Sequence, residues 1–205
     1  MFNEKILKVA KRLLDKKNIE WVSGSMHYKI DENLLLITDS FVLAEIQMPK
    51  KYKQRFENQE VKEITIDYYT ACWLLAMLEH KDAVWEISEI STWKAMVQNF
   101  VEYELQDITS KKHGTKVRIP VIDAQKIPQY KELSLFNWKE DSVKEIQFTS
   151  EFEKFQEVSG LLLGNWDIPV AKVSNETYTI EWTITDYLWE ALNFRVCVRR
   201  AQEYE

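Results

Sequence analysis

Apolar residues at Ile6, Leu7, Ala10, Leu13 and Leu14 recur at helical spacing and predict a helix over residues 4–17. Lys5, Lys8, Lys11, Arg12 and Lys16 fall on the opposite side, diluted only by Glu4 and Asp15, and Asn3 stands where an N-cap is expected. The pattern then changes to short apolar runs. Residues 19–30, 34–38 and 41–48 read as three strands, separated by the polar turns Asp31-Glu32-Asn33 and Asp39-Ser40. Pro49 ends this group, and the basic stretch Lys50 to Arg55 reads as a mobile link.

A strand at 61–66 leads into a helix capped by Asp67 and running to about His80. That helix is apolar on most faces, which predicts a largely buried element. Strands follow at 83–90, 97–106 and 116–122. In the middle one Val101, Tyr103 and Leu105 alternate with Glu102, Glu104 and Gln106, as in a sheet with one dry face. Residues 123–142 read as an irregular connector. Beyond it a strand at 143–148 precedes a helix that starts at Ser150 and Glu153, which have capping-box spacing, and runs to about Leu163. Strands at 178–184 and 192–198 complete the pattern. The tetrapeptide Val61-Lys62-Glu63-Ile64 returns as Val143-Lys144-Glu145-Ile146, each time opening a strand and then a helix. With the first 50 residues included, three units emerge, each a helix followed by antiparallel strands.

Composition narrows the class. The chain has 205 residues, 45% hydrophobic and 13% aromatic, enough for one generous domain or two small ones with a real core. Only four Gly and four Pro argue against a disordered chain. No apolar stretch approaches the roughly 20 residues that span a bilayer, and Met1 to Lys17 lacks the uninterrupted apolar core of a signal peptide. Cys72 and Cys197 fit no metal spacing and read as core residues of a cytoplasmic protein with no membrane partner.

The net charge of −6 restricts any nucleic-acid contact to a local basic face. Gly-rich phosphate loops, nucleophile elbows and His-Glu-x-x-His are all missing from the sequence. His27, His80 and His113 are isolated, and Asp39, Asp67, Asp123, Asp167 and Asp186 sit where turns or caps are expected. The reading is a non-catalytic binding protein with no catalytic residue, metal or cofactor.

Repeated units of one helix and antiparallel strands resemble the DNA sliding clamps, the processivity factors of replicative polymerases. Leu34 to Glu45 is similar to the bacterial clamp segment in which an apolar strand runs into Thr-Asp-Gly-His-Arg-Leu-Ala. Thr38, Asp39, Leu43 and Ala44 match, and Ser40, Phe41 and Val42 replace the Gly-His-Arg. Ile127 to Lys131 is similar to the aromatic-Pro-Asp-Tyr-basic stretch that closes a clamp domain, with Pro128 and Tyr130 kept. The resemblance implies an α+β, DNA-clamp-like fold. It divides into a clamp-like domain over 1–122, a connector over 123–142, and a partial second unit over 143–205.

A full second clamp domain carries two helices, and only half of one fits after Tyr130. The implied protein is a shortened, diverged clamp of the kind a phage carries, and a homo-oligomer. By the same resemblance, Lys5, Lys8, Lys11, Arg12 and Lys16 contact duplex DNA weakly and without sequence preference. Thr38, Phe41, Val42, Leu43, Pro128, Tyr130, Val196 and Val198 form a groove for a polymerase or another replication or repair factor. Phe41 and Leu43 have a plainer alternative, packing inward as alternate strand residues. The competing function is a protein-protein interaction or inhibitor protein of the same fold that does not bind DNA.

Overall fold

The computed structural model describes residues 2–17, 22–39, 41–54, 56, 62–78, 84–94, 99–108, 115–120, 150–163, 172–173, 177–185 and 191–199. The connector at 123–142 with Pro128 and Tyr130, the strand read at 143–148, His80 and His113 lie outside the described residues. Within them the protein is an α+β fold of antiparallel strands and four helices.

β1 (Phe2–Asn3) runs straight into α1 (Glu4–Leu13). The Asn3 side chain accepts the Ile6 N–H at 2.9 Å, which satisfies one of the free donors of the first turn. The helix ends earlier than its apolar pattern, because Leu14 turns extended and the Asp15 N–H donates to the Ser23 carbonyl at 2.7 Å. Three strands follow: β2 (Ser25–Lys29), β3 (Leu34–Thr38) and β4 (Val42–Gln47).

The basic stretch read as a mobile link is instead a short helix, α2 (Lys50–Gln54). Tyr52 and Phe56, four residues apart, are both buried and pin it. Phe56 meets the Tyr28 ring edge-on with centroids 6.3 Å apart, and Lys53 donates to the Asp31 carbonyl at 2.8 Å. The density of lysine masked that aromatic pair in the sequence.

β5 (Glu63–Asp67) leads into α3 (Tyr68–Ala76), capped as predicted by Asp67, whose carboxylate accepts the Thr70 N–H at 2.6 Å. Then come β6 (Val84–Lys94), β7 (Asn99–Asp107) and β8 (Thr115–Pro120). α4 (Ser150–Leu163) precedes β9 (Lys172–Val173), β10 (Thr177–Thr185) and β11 (Ala191–Arg199).

All pairings between the described strands are antiparallel. One sheet has the order β1-β6-β7-β8, the other β5-β2-β3-β4-β11-β10-β9. Each strand that leads into a helix pairs away from the strands that follow that helix. β1 joins β6, with Phe2 opposite Trp85, and β5 joins β2, with Ile66 opposite Met26. β11 extends the first group, with Val196 opposite Ala44 and Val198 opposite Val42.

One hydrophobic core fills the space between the sheets and helices. Met26, Tyr28, Leu35, Ile37, Val42, Ala44, Ile46, Ile64, Ile66, Val196 and Val198 alternate into it from the longer sheet. Ile6, Leu7, Val9, Ala10 and Leu13 enter from α1, and Phe152, Phe155, Val158 and Leu162 from α4. Trp85, Ile87, Tyr103 and Leu105 enter from the shorter sheet.

Tyr103 bridges the two sheets, since its hydroxyl accepts the Thr65 N–H at 3.3 Å. Burial pushes that hydroxyl up to about 12 from 10.0, against a smaller lowering by the Thr65 hydrogen bonds, and burial raises Tyr28 well above the usual range. Both shifts favour the neutral phenol in the folded state. Stability from them is therefore complete below pH 10 and is lost as pH rises towards the folded values. Each group should contribute a slope of about 1.4 kcal/mol per pH unit. Denaturant unfolding between pH 9 and 12 should show the decline, and Tyr103→Phe should flatten it; an unchanged slope would mean Tyr103 does not titrate with folding.

Candidate functional site

The basic face of α1 is present, but its five cations do not act as one set. α1 packs between α3 and α4. Towards α4, the Arg12 guanidinium pairs with the Glu157 carboxylate at 2.5 Å, and Lys5 donates to the Leu163 carbonyl at 3.5 Å. Lys8 reaches back one turn to Glu4 at 2.7 Å. Lys11 and Lys16, with the neighbouring Lys17, are exposed and form no ion pair among the described residues. The cationic surface left for an external partner is thus centred on Lys11, Lys16 and Lys17. Surface pairs such as Arg12–Glu157 add little to stability, about 0–1 kcal/mol, so their effect is mainly to assign charge.

α3 corrects the sequence reading most. Its all-round apolar pattern predicted a buried helix, yet only Ala71 and Leu74 are buried. Tyr69 is 58% exposed, Trp73 39% and Met77, just past the helix end, 49%. These positions are four apart and share one face. The Tyr69 hydroxyl donates to the Lys16 carbonyl at 3.2 Å, which places the ring beside the end of α1. A period-free apolar helix carries no direction in its sequence, so the exposed face could not be read from it.

The Thr38–Leu43 turn is built tightly. The Asp39 carboxylate accepts the Phe41 and Val42 N–H groups at 3.0 and 2.8 Å, and the Thr38 hydroxyl donates to the Val42 carbonyl at 2.9 Å. Lys154 of α4 pairs with the other Asp39 oxygen. This locks the turn and leaves Phe41 58% exposed at its tip. Val42, Val196 and Val198 lie in the core and Leu43 is buried on the other face of the sheet, so none of them lines an open groove with Phe41. Phe41 does not pack inward either, because the core side of β4 is Val42, Ala44 and Ile46. Phe41→Glu should change unfolding free energy by no more than about 0.5 kcal/mol; a thermal melt showing a loss of several degrees would place Phe41 in the core.

On that other face of the longer sheet, Thr65, His27, Leu36, Glu45 and Arg195 form one cross-strand row. His27 is buried and its Nδ1 lies 2.6 Å from the Glu63 carboxylate, while Arg195 approaches Glu45 at 3.5 Å. Among the described residues no group of three His, Cys, Asp or Glu side chains is placed to hold a metal ion. No described helix is long and apolar enough to cross a membrane.

The chain matches no known protein family, no curated protein and no solved structure. Its function is therefore argued from the surfaces just described: the α1–α3 face and the Phe41 turn.

Proposed function

We propose that the chain is a non-catalytic, sliding-clamp-like protein that contacts the phosphate backbone of DNA through α1 and tethers a replication or repair factor through the Phe41 turn. One observation carries the reading, the exchange of leading strands. β1 and α1 precede β2–β4, and β5 and α3 precede β6–β8, but β1 pairs within the second group and β5 within the first. That is how two copies of a strand–helix–three-strand unit interlock about a pseudo-twofold axis. α4 followed by β9–β11 adds a further helix-and-strands group, joined edge to edge by β11 on β4. Two units that exchange their leading strands support the resemblance that the Thr38-Asp39 and Pro128–Tyr130 segments raised.

Sliding contact needs mobile cations on phosphates and no reading of bases. Lys11, Lys16 and Lys17 meet that need, whereas Lys5 and Arg12 are drawn towards α4 and Lys8 to Glu4. A weak, sequence-independent duplex contact follows. Replacing Lys11, Lys16 and Lys17 with Glu should abolish retention on duplex DNA at low salt without changing the melting temperature by more than a few degrees. About three phosphate contacts predict a log–log salt slope near −2.7 for the wild type. Wild-type protein that leaves duplex DNA unretained at low salt would sink the DNA reading and favour the interaction-protein alternative, for which exposed Phe41 is the motive. Topological retention further predicts a homo-oligomer, checked by sedimentation against the 24.5 kDa chain mass.

A further inference from the structure

The exposed face of α3 has no role in sliding on a duplex. Tyr69, Trp73 and Met77 follow one another at four-residue intervals, so each lies about 6 Å further along the helix. Two of the three present rings, and both rings are held in place. Tyr69 is fixed by its hydrogen bond to the Lys16 carbonyl and by an edge-on contact with Tyr68, centroids 5.4 Å apart. Trp73 stacks on Trp85 with centroids 6.3 Å apart and planes inclined by 30°. Trp85 is itself anchored by donating its indole N–H to the Leu74 carbonyl at 3.0 Å. Held rings lose little freedom when a flat ligand settles on them.

The charges beside these rings select the ligand. Lys16 and Lys17 are exposed next to Tyr69, and Lys11 and Lys8 continue along the outer side of α1. Asp15 beside these lysines accepts the Lys17 N–H at 2.8 Å, and Asp67 is engaged as the cap of α3. A docked apolar helix would be matched by a wider stripe without this cationic flank. A polyanion with exposed flat faces matches both halves. Duplex DNA offers the anion but keeps its base faces inside the stack. Single-stranded nucleic acid offers phosphates and free bases together.

We propose that the α1–α3 face binds single-stranded nucleic acid, with bases stacked on Tyr69 and Trp73 and phosphates on Lys11, Lys16 and Lys17. The proposal rests on the reading of α1 as a phosphate-facing helix and extends it to a second strand state. Such a surface would let the protein grip the single strand beside a duplex end, where a purely basic helix would not discriminate.

The test measures anisotropy of labelled dT and U oligonucleotides and of a duplex of equal length, with the full chain, across a salt series. The wild type should hold the single strands more tightly than the duplex. Tyr69→Ala and Trp73→Ala should each weaken single-strand affinity by about ten-fold or more and leave duplex retention unchanged. Lys16→Glu with Lys17→Glu should weaken both and flatten the salt dependence. Trp73 packs on Trp85 and Tyr69 bonds the Lys16 carbonyl, so both variants are paired with a melt. Tyr69→Phe, which loses that bond but keeps the ring, should retain single-strand affinity, and a loss equal to that of Tyr69→Ala would mean the ring does not stack on bases. Tight binding of either the dT or the U oligonucleotide supports the proposal.

Duplex retention with no effect of Tyr69→Ala overturns this inference and leaves the clamp-like reading standing. No retention of either form at low salt overturns both. Self-association that Tyr69→Ala and Trp73→Ala abolish, without any single-strand binding, makes the stripe an interface between copies and also overturns it.

Discussion

Asn33→Ala should lower the unfolding free energy by about 3–5 kcal/mol, among the largest losses of any single substitution outside the aromatic core. Asn33 has φ 54°, in the left-handed region that alanine enters at a cost of about 1–2 kcal/mol. Its side chain is buried, and both its oxygen and its nitrogen are hydrogen-bonded. The Tyr28 hydroxyl donates to its oxygen at 2.6 Å, and its amide donates to the Met48 carbonyl. Its backbone closes the β2–β3 turn by donating to the Ile30 carbonyl at 3.1 Å, and its carbonyl accepts the Met48 N–H at 2.9 Å.

One residue thus joins the β2–β3 hairpin to the end of β4. Alanine would leave the Tyr28 hydroxyl and the Met48 carbonyl buried without these partners, at about 1–3 kcal/mol each. Asn33→Gly separates the two causes. It keeps the backbone and should recover about 1 kcal/mol or more of the loss. Urea midpoints at constant m-value measure both. Equal losses for Gly and Ala would discard the backbone share, and a loss below about 1 kcal/mol for Ala would discard the network.

Asn33 also marks how far the sequence carried. Its turn was legible from Asp31-Glu32-Asn33, and β3 falls where its apolar run placed it, at Leu34–Thr38. The caps at Asn3 and Asp67 were legible because capping chemistry is local. The α+β class and antiparallel pairing followed from alternation such as that around Tyr103.

Partner choice was not legible. Nothing near Phe2 announces that β1 leaves its own unit to pair with Trp85, because strand pairing over such distances is decided by the whole core. The same gap hid the division of the basic face. Arg12 and Lys11 are neighbours in sequence with the same charge, and only the docking of α4 assigns one to Glu157 and leaves the other exposed. At the Phe41 turn the period of two held, but both faces of β4 are apolar near Leu43, and the sequence did not say that Val42, Ala44 and Ile46 meet the core. The Tyr69–Trp73–Met77 stripe was lost among apolar neighbours that point elsewhere.

Phe155→Ala should cost about 3–5 kcal/mol and should disturb both candidate surfaces at once. Phe155 is a fully buried ring at the middle of α4, beside Phe152 at a centroid distance of 5.6 Å and in one row with Val158 and Leu162. That row fastens α4 to α1, β4 and β11. The opposite side of α4 carries Lys154 and Glu157, which hold Asp39 under the Phe41 turn and Arg12 on α1. Emptying the ring's site would therefore loosen the turn and release Arg12, besides weakening the core.

Phe155→Leu keeps most of the volume and should cost less than about 1.5 kcal/mol. Glu157→Gln separates charge from packing. It leaves the row intact, changes stability by less than about 1 kcal/mol, and frees Arg12 to meet phosphate. Duplex retention should then rise and its salt slope should steepen by about 0.9. Unchanged retention in Glu157→Gln would remove Arg12 from the interface. A loss under about 1 kcal/mol in Phe155→Ala would mean that α4 is not part of the cooperative core that positions these surfaces.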